Sequence, residues 1–466
     1  MNFNLLTEPW IPALFNDGRW ERVGIQEVFK HAGRIRQIAA ANPMDRFALL
    51  RFLLALLYWC KGNPCDEPIL DDETFPGVWF SKLNSDPQLF DLFGPGPRFY
   101  QDPSAQRLRP ATELIQEVPT GNNYWHLRHS TDSVEGLCPG CCAFGLLRLP
   151  LYTLSGRPDM MAGINGTPPV YAMPLGQNLM QTLMLNWIPA SDLGTPAWTD
   201  PGIRPLPGKT VPVLLGLTLL SRRVWLGEPI ETSSACIACG RRDLPLCQTC
   251  EFQSAGKQQN ELWDDPHVLY PSDGTRKAPK AANLTAPGQF RMDRPWTNLL
   301  QRLLGSDRRS YDAKGRSVFV VGFAVNKAQG VDVWERTVEL PPSISVSPSA
   351  PSRLVDWNKQ GNRLAERLPK RAGKTQEQAI ALVASVRPHV EHQVSLRTNE
   401  LLGEGDAPWD AASGLYQPLM AAVARSISPG FTSSFLHRRR QITNTMPCIR
   451  DTPPPAPRRR QTKRKS

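Results

Sequence analysis

Three Cys-x-x-Cys pairs, Cys138–Cys141, Cys236–Cys239 and Cys247–Cys250, hold six of the ten cysteines of this 466-residue chain. Two thiolates spaced this way on a tight turn grip one ion from one side, and two such turns complete a tetrahedron around zinc. Glycine or proline in Pro139-Gly140 and Gly240 permits the bend. In a chain of this length without a secretory signal, the pattern favours metal over disulfides. Two pairings are open. Cys236, Cys239, Cys247 and Cys250 would form a local ribbon, which spacing slightly favours. Alternatively, Cys138 and Cys141 join Cys236 and Cys239, stapling distant segments. Either set leaves no open coordination position and is structural, not catalytic. Cys142 is a spare beside Cys141, and Cys60 and Cys65 read as structural or unpaired.

The remaining composition is that of a globular protein, with 41% hydrophobic and 21% charged residues. Its 45 prolines and 34 glycines predict many turns, and no solenoid repeat is present. The net charge of +11 is concentrated at the end. Arg438–Ser466 carries ten Lys or Arg against one acid, Asp451, so the preceding chain is nearly neutral. A basic surface on the body must therefore come from local clustering. Polar Asn2, Asn4 and Glu8 interrupt the N-terminal apolar residues, unlike a signal peptide. The longest apolar stretch, Phe47–Trp59, includes Arg51 and is shorter than the roughly 20 residues a bilayer span takes. A soluble, cytoplasmic protein with a buried helix at this point is expected.

Residues 3–14 read as extended, with Asp17-Gly18 turning the chain so that Trp20–Val23 pairs back as a hairpin. Asn42-Pro43 starts a helix whose stripe is Phe47, Leu50, Leu53, Leu54 and Leu57. Residues 86–136 are loop-rich. Gln177–Trp187 has a helical pattern, whereas Val211–Thr218 and Ser317–Val325 read as strands. The expected domains are an N-terminal α/β region over 1–340, a Pro/Ser linker over 341–352, a helical region over 353–428 and a basic disordered tail over 429–466.

Catalytic constellations are lacking. There is no Walker A loop, Gly-x-Ser-x-Gly elbow or His-Glu-x-x-His helix. His126 and His129, and His389 and His392, sit three apart without a third ligand nearby. Asp264-Asp265-Pro266-His267 gathers acids and a histidine, which fits a metal-dependent hydrolase or a structural turn equally. A binding protein is the leading expectation. The two rivals are a free-standing zinc ribbon that binds nucleic acid through its basic tail, and that hydrolase.

Several segments, in order, resemble one family. They are Asn4-Leu5-Leu6-Thr7-Glu8-Pro9-Trp10-Ile11-Pro12, Thr120-Gly121-Asn122-Asn123, Leu183-Met184-Leu185-Asn186-Trp187, Leu262-Trp263-Asp264-Asp265-Pro266-His267, and Gly322-Phe323-Ala324-Val325-Asn326-Lys327-Ala328 followed by Trp334. Together they resemble the large CasA subunit of the type I-E CRISPR Cascade complex. The resemblance implies a large, irregular mixed α/β N-terminal domain with a structural zinc site, followed by a C-terminal four-helix bundle. Only about 70 residues, Arg353–Ser426, look helical by periodicity, so that bundle is expected to be shortened.

The resemblance also implies site residues. Zinc (Zn2+) would be held by Cys138, Cys141, Cys236 and Cys239. Duplex DNA bearing the protospacer-adjacent motif would be met by Gly156 and Arg157, by Lys257 as a lysine finger, and by Gln360 with Gly361 as a wedge. Such a wedge breaks stacking at a cost of a few kcal/mol, offset by contacts to the opened strands. The crRNA would meet Asn122, Asn123, Tyr124, Trp125 and His126, whose rings can stack on splayed bases. The implied partners are crRNA, target double-stranded DNA, the backbone, crRNA-end-binding and small subunits, and the helicase-nuclease.

Overall fold

The protein is represented by a computed structural model that describes residues 2–62, 74–116, 136–154, 163–188, 190, 192–256, 263–269, 317–326 and 329–339. The chain divides into two units, Met1–Arg291 with Pro295–Leu340, and Met292–Arg294 with Pro341–Ser466. Every described residue belongs to the first. The expected linker, C-terminal helices and basic tail lie outside the described residues.

The N-terminal strands β1 (Ile11–Phe15) and β2 (Trp20–Val23) form an antiparallel hairpin, with Ile11 opposite Val23 and Leu14 opposite Trp20. Gly18 turns it with φ of 85°, a conformation that costs a residue without a Cβ least. Helix α1 (Ile25–Lys30) leads to β3 (Ile35–Ile38), which pairs with the other side of β1.

Helix α2 (Pro43–Lys61) runs through the core. The Asn42 side chain accepts from the Met44 N–H at 2.8 Å, and Pro43 needs no partner in the first turn. At the other end Gly62 adopts the left-handed conformation that stops the helix. Every residue from Phe47 to Trp59 is buried, so the apolar stripe widens into a helix enclosed on all sides. Tyr58 stacks on Trp187 at 4.0 Å, while Trp59 meets Trp198 edge-on at 5.9 Å.

Short helix α3 (Ser81–Ser85) and a mostly irregular stretch lead to β4 (Leu108–Pro110). Helix α4 (Pro139–Tyr152) packs on α2, and Arg148 ties them by donating to Asp45 at 2.6 Å. Strand β5 (Tyr171–Leu175) precedes α5 (Leu179–Leu185), whose Asn178 cap accepts from Gln181 N–H at 2.9 Å. The helix expected within Gln177–Trp187 is therefore present.

Val211–Thr218 corrects one expectation. It is not a strand, because Val213–Thr218 is helix α6. The Gly216 N–H bonds to Pro212 O at 2.9 Å, and the Thr218 hydroxyl donates to Leu214 O at 2.6 Å. A short apolar run buried all round carries no period that separates strand from helix.

A second sheet has the order β4-β7-β6, from β6 (Arg222–Leu226) and β7 (Thr249–Ser254). The third is β5-β8-β9, from β8 (Ser317–Asn326) and β9 (Gln329–Glu339), all antiparallel. Gly322 lies opposite Trp334, and a Cβ on Gly322 would overlap the indole ring. Glycine in a strand interior here marks a close approach. Gly322→Ala is expected to lower stability by about 1–3 kcal/mol through overpacking, read as a lower denaturant midpoint with an unchanged slope.

Candidate metal centre

Four sulfurs, from Cys138, Cys141, Cys236 and Cys239, lie within 4.8 Å of one another. Cys138 occupies the cap of α4, and Cys141 its first turn. The sequence placed that knuckle on a plain turn. Pro139, favoured at a first helical position, is the signal that marks a helix start.

The opposite knuckle is a hydrogen-bonded turn. The Gly240 N–H bonds to Cys236 O at 2.8 Å, and the Cys236 N–H to Arg241 O at 2.7 Å. Gly240 takes φ of 75°, which reverses the chain beneath both sulfurs. The knuckles are held together by backbone as well. Ile237 N–H donates to Gly136 O at 3.1 Å, and Cys138 N–H donates to Cys236 Sγ at 3.3 Å. Trp10 of the opening segment lies against the first knuckle, where a Cβ on Gly140 would sit 3.3 Å from Trp10 Cβ.

The donor set fits a soft, tetrahedral ion. Sulfurs about 2.3 Å from a zinc ion stand about 3.8 Å apart. Cys138 Sγ and Cys239 Sγ are 3.7 Å apart. Among the thiols, hydrogen bonds from Cys138 and Cys141 hold Cys239 down to about 7 and push Cys236 well below the ordinary thiol range. The proton cost falls on the other knuckle, where Cys138 and Cys141 are both raised, Cys141 by its hydrogen bonds to Cys138 and then Cys236. Negative charge is thus already favoured on one knuckle before a cation adds its own pull. Cys138, Cys141 and Cys236 are buried and Cys239 is exposed.

Cys247 and Cys250 do not join them, so the local ribbon is not formed. Cys247 is bridged to Leu137, and its sulfur points to Gly227 O and Thr249 O, both at 3.3 Å. Cys250 lies within β7 and its sulfur points to Pro110 O at 3.7 Å. In extended chain, side chains three apart face opposite ways, so this pair cannot chelate as a knuckle does. The free-standing ribbon loses its metal site by the same geometry. The spare Cys142 directs its thiol to Leu137 O at 3.7 Å.

The Asp264-Asp265-Pro266-His267 turn does not form an open hydrolytic site. Asp264 is exposed, whereas Asp265 is fully buried. Both Asp265 oxygens accept from Arg51 of α2 at 2.8 Å. Burial alone would raise this carboxyl, but the Arg51 charge outweighs it and holds it at about 2. His267 is also buried, with Nδ1 3.2 Å from Arg51 Nη1. Among the described residues, the cysteine set is the group of metal-ligating side chains found together.

The residues assigned to nucleic acid by resemblance fall outside the described residues. They are Gly156, Arg157, Lys257, Gln360 and Gly361 for DNA, and Asn122, Asn123, Tyr124, Trp125 and His126 for RNA. The same holds for His129, His389 and His392. No helix among the described residues is long and apolar enough to cross a membrane.

Fold and site together define a mixed α/β protein in which distant segments converge on a closed four-cysteine centre. Residues 4–441 match the family of CRISPR-associated protein Cse1, and the chain belongs to that family. A CRISPR-associated protein CasA/Cse1 from Thermus thermophilus is 30% identical over 233 residues, 43% of this chain and 43% of the relative. The matched stretch is thus under half of that relative's length. The crystal structure of Thermus thermophilus CasA has the same fold, with a TM-score of 0.68 and 20% identity over 96% of this chain and 99% of the other. A chain of a CRISPR RNA-guided surveillance complex gives a TM-score of 0.65 and 18% identity over 95% and 99%.

Proposed function

We propose that this chain is the large subunit of a type I-E CRISPR RNA-guided surveillance complex. The observation that carries this reading is the Cse1 family match across residues 4–441. The likeness of fold to a chain of such a complex is consistent with it. The protein recognises the protospacer-adjacent motif in duplex DNA, helps start the R-loop and helps recruit the helicase-nuclease. Sequence specificity is delegated to guide pairing, as in RNA-guided systems generally. It works in the cytoplasm with crRNA and the backbone, crRNA-end-binding and small subunits, and catalyses nothing itself.

In this reading Cys138, Cys141, Cys236 and Cys239 hold a structural zinc ion, which supplies cross-linking and no reaction chemistry. Gly156, Arg157 and Lys257 face the duplex. A cationic side chain suits the negative potential of the minor groove. Gln360, followed by Gly361, wedges the first base step apart. Asn122, Asn123, Tyr124, Trp125 and His126 meet the crRNA.

The test is co-purification of tagged protein with the other subunits and guide RNA, then binding to duplexes with randomised motif positions. The expected result is assembly, selection of a short motif, and a Gln360→Ala variant that captures duplex but opens it poorly. A protein that stays alone and binds all duplexes equally would overturn the reading.

A further inference from the structure

We propose that Cys239 is an oxidation site for a small peroxide, and that its oxidation closes a Cys138–Cys239 disulfide which takes over the metal's cross-link between the two knuckles. The inference rests on the reading that the four-cysteine centre holds zinc.

The centre is not covered equally on all sides. Cys138, Cys141 and Cys236 are buried, and Cys239 is the exposed member. It stands on the turn of the second knuckle, one residue before Gly240. A groove of about 340 Å³ lies against it, lined by Cys138, Cys141 and Cys239 but not by Cys236. A water molecule needs only about 10–15 Å³ of such space, so a peroxide enters easily. Trp20 of β2 lines the same groove and is 52% exposed, so the groove opens to solvent on that side. Arg22 and Arg241 line it as well, and Asp243 accepts from the second at 2.9 Å. The positive charge that remains favours the departure of hydroxide.

The sulfur that meets a peroxide first is the accessible one. The Cys239 thiolate gives an electron pair to one peroxide oxygen. An S–O bond forms, the O–O bond breaks and hydroxide leaves. Cys138 Sγ, on the opposite knuckle, lies 3.7 Å from Cys239 Sγ. Its thiolate then attacks the Cys239 sulfur. An S–S bond forms, the S–O bond breaks and a second hydroxide leaves. Two thiolates are thus oxidised to one disulfide, and one peroxide is reduced to two hydroxides that take protons from water. Cys141 and Cys236 alone remain as ligands, too few for a closed four-thiolate site, so the metal is released.

The pairing decides what the fold loses. A disulfide inside one knuckle, Cys138–Cys141 or Cys236–Cys239, would leave the knuckles joined by backbone contacts alone. Cys138–Cys239 spans 101 positions and joins the same two segments that the metal joins. The restraint on the unfolded chain is therefore kept while the metal is lost. Cys236 is set against the Cys138 N–H at 3.3 Å and does not line the groove, which leaves Cys138 the better placed partner.

The experiment treats the purified full-length protein, reconstituted with zinc, with hydrogen peroxide. Metal release is followed with a chromogenic chelator, disulfides by peptide mapping without reduction, and stability by the denaturant midpoint. Among the described cysteines, Cys239 is expected to lose reactivity towards an alkylating reagent first. Metal release should run in step with the Cys138–Cys239 bridge, and the midpoint should stay near that of the untreated protein. Protein stripped by a chelator under reduction should lose that midpoint. A thiol reductant with added zinc should restore the starting state. Cys239→His keeps a four-ligand site of the Cys3His type and should retain its metal under the same peroxide treatment. A bridge at any other pair, a midpoint that falls to the stripped level, or equal metal loss from Cys239→His overturns the inference. If the protein takes up no zinc at all, the zinc reading falls and the exchange of cross-links falls with it. If it holds zinc and peroxide leaves Cys239 reduced, the oxidation site alone falls.

Discussion

On the proposed reading that the four-cysteine centre holds zinc, Cys236→Ser is expected to abolish metal binding there and to destabilise the protein by about 4–5 kcal/mol. That is the entropy released when a cross-link closing a loop of roughly 100 residues is lost. The two knuckles are 98 residues apart from Cys138 to Cys236, so their link restrains a long stretch of unfolded chain. Cys236 also carries the most strongly lowered thiol of the four and accepts from the Cys138 N–H, so it contributes both charge and register. The effect stops short of the about 10–16 kcal/mol that structural zinc supplies to zinc-finger peptides, because here a large apolar core surrounds the site. The measurements are metal per protein by elemental analysis and the denaturant midpoint, with chelator treatment of the unaltered protein as a parallel. Cys247→Ser and Cys250→Ser serve as the comparison. Their sulfurs point to carbonyls away from the cluster and should leave metal content unchanged. Metal retained in Cys236→Ser, or lost in Cys247→Ser, would show that the ligand set is different.

What the sequence discloses here depends on how local the determining physics is. Helix α2 is legible because its start is written in adjacent residues, Asn42-Pro43, and its stripe repeats at helical spacing. The β1–β2 hairpin is legible for the same reason, through Asp17-Gly18. Helix α6 is misread because Leu214–Thr218 is buried all round and has no exposed face to set a period. The third Cys-x-x-Cys pair looks like a knuckle in spacing alone. Whether Cys247–Cys250 turns or extends is decided by the pairing of β7 with β6 and β4. The first two pairs read as one centre only through resemblance, since no local rule brings Cys138 to Cys236. The Arg51–Asp265 pair is further from view, with its partners 214 positions apart and nothing in the sequence that joins Arg51 to the Asp265 turn. Asp264-Asp265-Pro266-His267 stands out as chemistry in the sequence and proves to be a buried tie in the fold.

Asp265→Ala is expected to cost about 3–5 kcal/mol, because it strands the Arg51 guanidinium in a site that is 2% exposed. Arg51 would keep the carbonyls of Gly216 and Leu217 and its contact with His267 Nδ1, none of which supplies the lost negative charge. The pH dependence separates this from a simple packing defect. In the unaltered protein the Asp265 carboxyl is held at about 2, against an ordinary value of 3.8. A carboxyl lowered on folding contributes stability that is full above its unfolded value and is lost as pH falls through the folded one. About 2 kcal/mol should therefore disappear between roughly pH 4 and pH 2. Arg51→Met reverses the sign. Without the guanidinium, burial raises the same carboxyl, so the folded state binds a proton more tightly than the unfolded state does. Stability of Arg51→Met should then rise as pH is lowered from 7 towards 4, where the unaltered protein gains nothing from this group. Replacing both partners by apolar residues, Arg51→Met with Asp265→Leu, should recover part of the loss and flatten the dependence, since no buried charge remains. Denaturant midpoints across pH for the four proteins measure all of this. Parallel acid profiles for the unaltered protein and Arg51→Met would mean that the pair does not govern the site's charge.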